Sequence, residues 1–152
     1  MKDPAISLRV FGDPVPKGSK SAFPIRKGGV LTGRVAVVEG KTKRQSEWRA
    51  RVLAAAQGAA ESGAPMLDGP IALAARFRLR RPVSEPKRHR TWPVRKPDLD
   101  KLLRGLLDPL TGVLIADDAR IVAIEAAKDW VAPDEQPGVE VELYQVSEGV
   151  EP

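Results

Sequence analysis

Two pairs of aspartates stand in a basic neighbourhood. Asp98 and Asp100 occur in KPDLDKLLRGLL (residues 96–107), at the mouth of a leucine-rich segment, and Asp117 and Asp118 in ADDAR (residues 116–120). Three or four carboxylates gathered in one place repel one another unless a divalent cation neutralises them. Oxygen-only ligation by carboxylates, water and phosphate is what Mg2+ prefers. A metal held this way activates water and stabilises a leaving oxygen. The chain as a whole is cationic, with 25 Lys and Arg against 20 Asp and Glu and a formal net charge of +5. That balance favours a polyanionic partner. Acid inside a basic surround is the electrostatic pattern of a metal-dependent nuclease, in which cations hold the phosphate backbone and carboxylates hold the metal.

Local structure must place these residues. Leu99, Leu102, Leu103, Leu106, Leu107 and Leu110 recur at i, i+3, i+4, i+7, i+8 and i+11, an apolar stripe that predicts a helix beginning near Asp98. The stripe leaves Asp100, Lys101, Arg104 and Asp108 off the buried face. Pro97 keeps Lys96 extended and suits a helix entrance. Asp98 then falls near the N-cap with Asp100 in the first turn, which is also ordinary helix-start chemistry worth about 1 kcal/mol. Two residues apart in a regular helix point about 200° apart. The pair therefore converges only if Asp98 retains extended geometry. After the helix, a turn at Thr111–Gly112 and a short apolar run lead through Asp117–Asp118 into a strand. A helix and strand joined this tightly lie side by side, so strand start and helix start are expected to meet at one sheet edge.

The remaining elements supply scaffold and charge. Ala5–Phe11 alternates as a strand. The loop GDPVPKGSKSAF carries Lys17 and Lys20, and a turn at Gly28–Gly29 joins short strands at Ala22–Arg26 and Val35–Glu39. A helix is expected from about Thr42 to Ser62, with Thr42 and Gln45 at capping-box spacing and Trp48, Val52, Ala55 and Ala59 at helical intervals. Lys41, Lys43 and Arg44 at its start serve either solvation or phosphate contact. In PIALAARFRLRRP, Ile71, Leu73, Ala75, Phe77 and Leu79 share one face of a strand, and Arg76, Arg78 and Arg80 share the other. One apolar face implies a sheet covered on one side. The arginine face is either solvated or lines a groove for phosphates. A Pro-rich loop then brings Lys87, Arg88, Arg90, Arg95 and Lys96 around Trp92, which packs under the loop or stacks on a base. Strands at about Arg120–Val131 and Gly138–Val146 close the chain. The order, without regular βαβ alternation, predicts a single α+β domain over residues 1–152, with a mixed sheet and two main helices.

Several classes are disfavoured. Without cysteine there is neither a disulfide framework nor a thiolate metal site, and the lone His89 lacks partners for zinc. No apolar run approaches a membrane span and the start lacks a signal-peptide core, so a cytoplasmic protein with no membrane partner is expected.

The segment RKPDLDKLLRGLLDPLTGVLIADDARIV resembles the central motif of the RusA-type endodeoxyribonucleases, Holliday junction resolvases common in prophages. That motif is a basic stretch, D-x-D-N-L-x-K, a helix end similar to "DAL", and an acidic pair entering a strand. GDPVPKGSKSAF also resembles the first loop of phage relatives. The resemblance implies a small α+β homodimer that cuts four-way DNA junctions with Mg2+, Mn2+ being a possible substitute, in recombination and repair. It places Asp98, Asp100 and Asp118 on the family's essential carboxylates, with Asp117 beside them as a further metal ligand. The family's catalytic lysine falls on Arg104 and its asparagine on Lys101, both departures. Arg104 keeps the charge but cannot donate a proton at neutral pH. The expected activity is hydrolysis of phosphodiesters in branched DNA. Lys17, Lys20, Arg76, Arg78, Arg80, Lys87, Arg88, Arg90, Arg95, Lys96 and Lys101 would grip the DNA, and Arg104 or Lys101 would stabilise charge on the phosphate. The rival is a non-catalytic DNA-binding or regulatory protein that keeps the fold. A D-x-D enzyme acting on nucleotides or nucleotide sugars lacks the chain length and a phosphate-binding glycine loop.

Overall fold

A computed structural model describes residues 3–18, 20–39, 42–147 and 149. Its elements are β1 (Ile6–Phe11), β2 (Lys20–Lys27), β3 (Val30–Glu39), α1 (Lys43–Glu61), β4 (Ile71–Leu79), α2 (Leu99–Leu110), β5 (Ile121–Trp130) and β6 (Gly138–Gln145), with one 3-10 turn at Asp118–Arg120. The strands form a four-stranded sheet in the order β1-β6-β4-β5 and a separate two-stranded sheet, β2-β3. β6 runs antiparallel to both β1 and β4, while β5 runs parallel to β4. The fold is α+β with a mixed sheet, as its element order predicts.

The alternation in β4 decides which face is covered. Ile71, Leu73, Ala75, Phe77 and Leu79 are buried, and with Val139, Val141 and Leu143 of β6 they form the sheet side of the core. Trp48, Val52 and Ala56 of α1 and Leu102, Leu106 and Leu110 of α2 supply the helix side. Each Val, Leu, Ile or Phe among them contributes roughly 1.5–3 kcal/mol on full burial. Ala55 and Ala59, expected in the stripe of α1, pack at its margin, and Ala56 is the alanine that is sealed in.

Local chemistry fixes the helix starts. Thr42 caps α1 through a reciprocal box: its hydroxyl accepts from the Gln45 N–H at 3.2 Å, and Gln45 Oε1 accepts from the Thr42 N–H at 2.8 Å. Gln45 Nε2 also donates to the Pro16 carbonyl at 3.1 Å, anchoring the loop after β1. That loop then lies on α2, where the Lys17 N–H donates to the Lys101 carbonyl at 3.1 Å. Gly105 permits the approach, because a Cβ there would stand 3.0 Å from the Val15 carbonyl oxygen.

Candidate active site

Asp98 is the N-cap of α2, yet its side chain makes no capping hydrogen bond. Its backbone is extended, with φ −71° and ψ 138°. That is the geometry the D-x-D pair needs if its carboxylates are to turn toward each other. Ordinary cap chemistry therefore does not occupy this carboxylate. Lys101, one turn on, lies 3.7 Å from Asp98 Oδ2, at the long end of ion pairing. Asp100 is exposed in the first turn. Arg104, four residues after Asp100 and therefore on the same helical face, is also exposed. The peptide bond between Lys96 and Pro97 is cis.

The second acidic pair lies elsewhere than the connection suggests. Lys128, near the end of β5, donates from Nζ to the carbonyls of Arg95 and Pro97, both at 2.9 Å. The end of β5 thus stands beside the start of α2, and the two elements run antiparallel. The start of β5 instead meets the second half of α2, where Asp118 joins Gly105, Asp108 and Thr111 in lining a cleft of about 650 Å3. Ten residues of helix, about 15 Å of axis, separate the levels of Asp98 and Asp108. The expected meeting of strand start and helix start is thereby corrected. A short link returns the chain beside the helix it has just left, so the nearest part is the helix end.

Within the pair the two aspartates differ. Asp117 Oδ1 accepts from the Ala119 N–H at 2.9 Å and caps the 3-10 turn. That backbone hydrogen bond, followed by one shared with Asp118, holds the Asp117 carboxyl below the usual aspartate value. Asp118 is exposed and opens onto the cleft. The same cleft is lined by Lys17 and Asp108, whose ion pair is 2.7 Å from Nζ to Oδ2. By helical spacing alone, Asp108 is merely a residue off the buried face. Its pairing with Lys17, 91 residues away, has no local signal.

Among the described residues, no group of three or more His, Cys, Asp or Glu side chains is disposed to hold a metal ion. The donors are nevertheless all oxygen, and Mg2+ needs only one or two carboxylates beside water and phosphate oxygens. Asp98 and Asp100 offer two exposed carboxylates at the start of α2, whereas Oδ1 of Asp117 is committed to its cap.

The cations divide unequally. Residues directly opposite across a sheet share a face, and Arg76 stands opposite Glu140 while Arg78 stands opposite Asp129. Arg80 pairs with Asp13 at 2.8 Å. The arginine face of β4 is therefore interleaved with acid. In the Pro-rich loop, Arg90 binds Asp129 at 2.6 Å and lies 4.0 Å over the Trp92 ring. Trp92 is 55% exposed, so it does not pack under the loop. The Trp130 indole N–H donates to Thr91 Oγ1 at 3.0 Å and fixes the loop to the end of β5. Lys87, Arg88, Arg95 and Lys96 are exposed. Lys41 and the side chain of Lys20 lie outside the described residues.

Comparison with known proteins identifies the family. The chain is similar to the "uncharacterized protein YqaN" of Bacillus subtilis (strain 168), 27% identical over 152 aligned positions that cover 93% of this chain and 97% of the relative. The model of the family described as "Endodeoxyribonuclease RusA" matches residues 25–144, a span that includes both helices, both acidic pairs and the loop between them. This chain belongs to the RusA endodeoxyribonuclease family.

Proposed function

We propose that this protein is a Mg2+-dependent endonuclease that resolves four-way DNA junctions. The observation that carries the reading is Asp98: within a family of endodeoxyribonucleases, it occupies an N-cap while leaving its carboxylate out of the cap. Asp98 and Asp100 would hold the metal, and Mn2+ would substitute for it. Bound there, the metal supplies an activated water and neutralises charge on the phosphate. The chain's own residues do the rest. Lys101 steadies Asp98. Arg104, on the face of Asp100, offers a planar fork of donors to phosphate oxygens and holds its proton throughout. Asp118 faces the cleft about two to three helical turns further along, where it would meet a neighbouring stretch of the DNA backbone.

Incubating a synthetic four-way junction with the protein, with and without Mg2+, tests the proposal. Wild type should cut only with metal. Asp98→Asn and Asp100→Asn should each abolish cutting and leave junction binding in EDTA intact. Both side chains are exposed and Asp98 makes no capping hydrogen bond, so the folded state should be unaffected. Mn2+ should selectively broaden amide resonances near Asp98 in wild type and not in Asp98→Asn. A second reading, a non-catalytic DNA-binding protein, draws on the want of a three-ligand group among the described residues. Binding without metal-dependent cutting would favour it.

A further inference from the structure

The β2–β3 hairpin has no place in the core. Among the described residues, its strands pair only with each other, and no residue of either belongs to the buried cluster or packs against it. An isolated two-stranded hairpin is marginally stable in water, yet this one is long. Its ten-residue strand β3 spans about 33 Å. Gly28 and Gly29 close it with φ of 59° and 82°, the two positive values a tight primed turn requires.

Its surface is unusual in two ways. Phe23, Val30, Leu31, Val35 and Val37 are all more than half exposed. By register, Val35 and Val37 share one face with Pro24 and Ala22. Exposed apolar side chains on a strand face that nothing in the core covers are the mark of an interaction site. The second feature is charge. The hairpin, residues 20–39, holds Lys20, Arg26, Lys27 and Arg34 against a single carboxylate, Glu39 at the last position of β3. By contrast, the arginines of β4 alternate with Glu140 and Asp129. A second copy of the chain would bring the same positive charge to a hairpin-on-hairpin contact and be repelled.

We infer that the hairpin is a DNA-binding arm that lies in a groove of a duplex segment beside the cleavage site. A two-stranded ribbon fits the major groove. Arg26, Lys27 and Arg34 neutralise phosphates at the groove edges, while the apolar strand face contacts sugars and bases. The inference rests on the reading of DNA as substrate. It adds that part of the grip comes from an arm independent of the catalytic body.

The test is fluorescence anisotropy with a labelled four-way junction in EDTA, comparing wild type with R26Q/K27Q/R34Q. The triple variant should bind at least tenfold more weakly, and its log–log salt slope should fall by about 0.9 for each phosphate left unneutralised. Its thermal unfolding should match wild type, because the arm packs on nothing in the core. A site-specific readout removes any general effect of lowered net charge. The chain has no cysteine, so Val30→Cys puts a single photo-crosslinker at the tip, where Val30 is 69% exposed. The tip should crosslink to DNA. Equal binding by wild type and triple variant, or crosslinks to a second protein chain in place of DNA, would overturn the arm while leaving the substrate reading standing. Failure of wild type to bind any DNA would overturn the substrate reading itself.

Discussion

The Lys128 ammonium bonds the carbonyls of both Arg95 and Pro97, and so clamps the end of β5 to the residues that deliver the Asp98 carboxylate. A charged donor at two backbone carbonyls outweighs a neutral one, and each such bond is worth about 1.5–3 kcal/mol when desolvated. Lys128 is only part-buried, so the lower figure applies. Lys128→Ala should cost about 1–2 kcal/mol in chemical denaturation. It should also slow junction cleavage severalfold with little change in junction binding, because it positions a carboxylate and does not touch phosphate. A variant as stable and as active as wild type would show that the helix start holds itself.

Asp117 should titrate abnormally low. Its carboxylate is held below the usual value of 3.8, first by the Ala119 N–H and then by the hydrogen bond shared with Asp118; desolvation opposes them, and attraction to Arg120 adds least. A depressed folded value means that the cap's contribution is complete above the ordinary value and is lost as pH falls through the folded one. Carboxyl carbon shifts followed from pH 7 to pH 2 without divalent metal should give Asp117 a midpoint below that of ordinary aspartates. The Ala119 amide proton should move with the same midpoint, and Asp117→Asn should remove that acid-range movement. A midpoint at or above the ordinary value would mean that the cap is not formed in solution.

Much of the fold is legible in the sequence because local chemistry dictates it. The box between Thr42 and Gln45, the alternation from Ile71 to Leu79 and the leucine stripe of α2 each follow from a short-range period. The boundary geometry of Asp98 follows in the same way, from a stripe that starts one residue later. What stays hidden depends on partners far along the chain. Nothing near Arg76 announces that β6 will insert between β1 and β4 and set Glu140 opposite it. The short link after α2 does imply that β5 runs back beside the helix, and it is that antiparallel course that sets Asp118 at the level of Asp108 and away from Asp98. The hairpin's excess of cations over its one carboxylate, Glu39, is readable in the sequence, but its detachment from the core is not.

Sheet order has a measurable consequence for DNA binding. Alanine at Arg76, Arg78 and Arg80 together should lower the log–log salt slope by less than about 0.9, the value of one neutralised phosphate, since each arginine faces or pairs with a carboxylate. Alanine at Lys87, Arg88, Arg95 and Lys96 should lower it by more than twice that amount. Equal or reversed effects would return the β4 face to the DNA interface.

Assembly follows from the geometry of the proposed substrate. Resolving a four-way junction takes two nicks placed symmetrically about the branch point. A monomer would have to cut, dissociate and rebind, whereas a C2 dimer presents two sites together with matching symmetry. Surface is available for such an interface. β5 is an edge strand of the main sheet, and it exposes Val122 and Ile124 by 59% and 48%. Edge strands of this kind pair readily with another chain. Light scattering at micromolar concentration should give twice the chain mass, and Ile124→Lys should shift it toward the monomer. Mixing wild type with Asp100→Asn should yield heterodimers that nick one strand and leave its partner whole. A strict monomer that still makes paired cuts would overturn the arrangement, because one carboxylate site would then be serving both strands in turn.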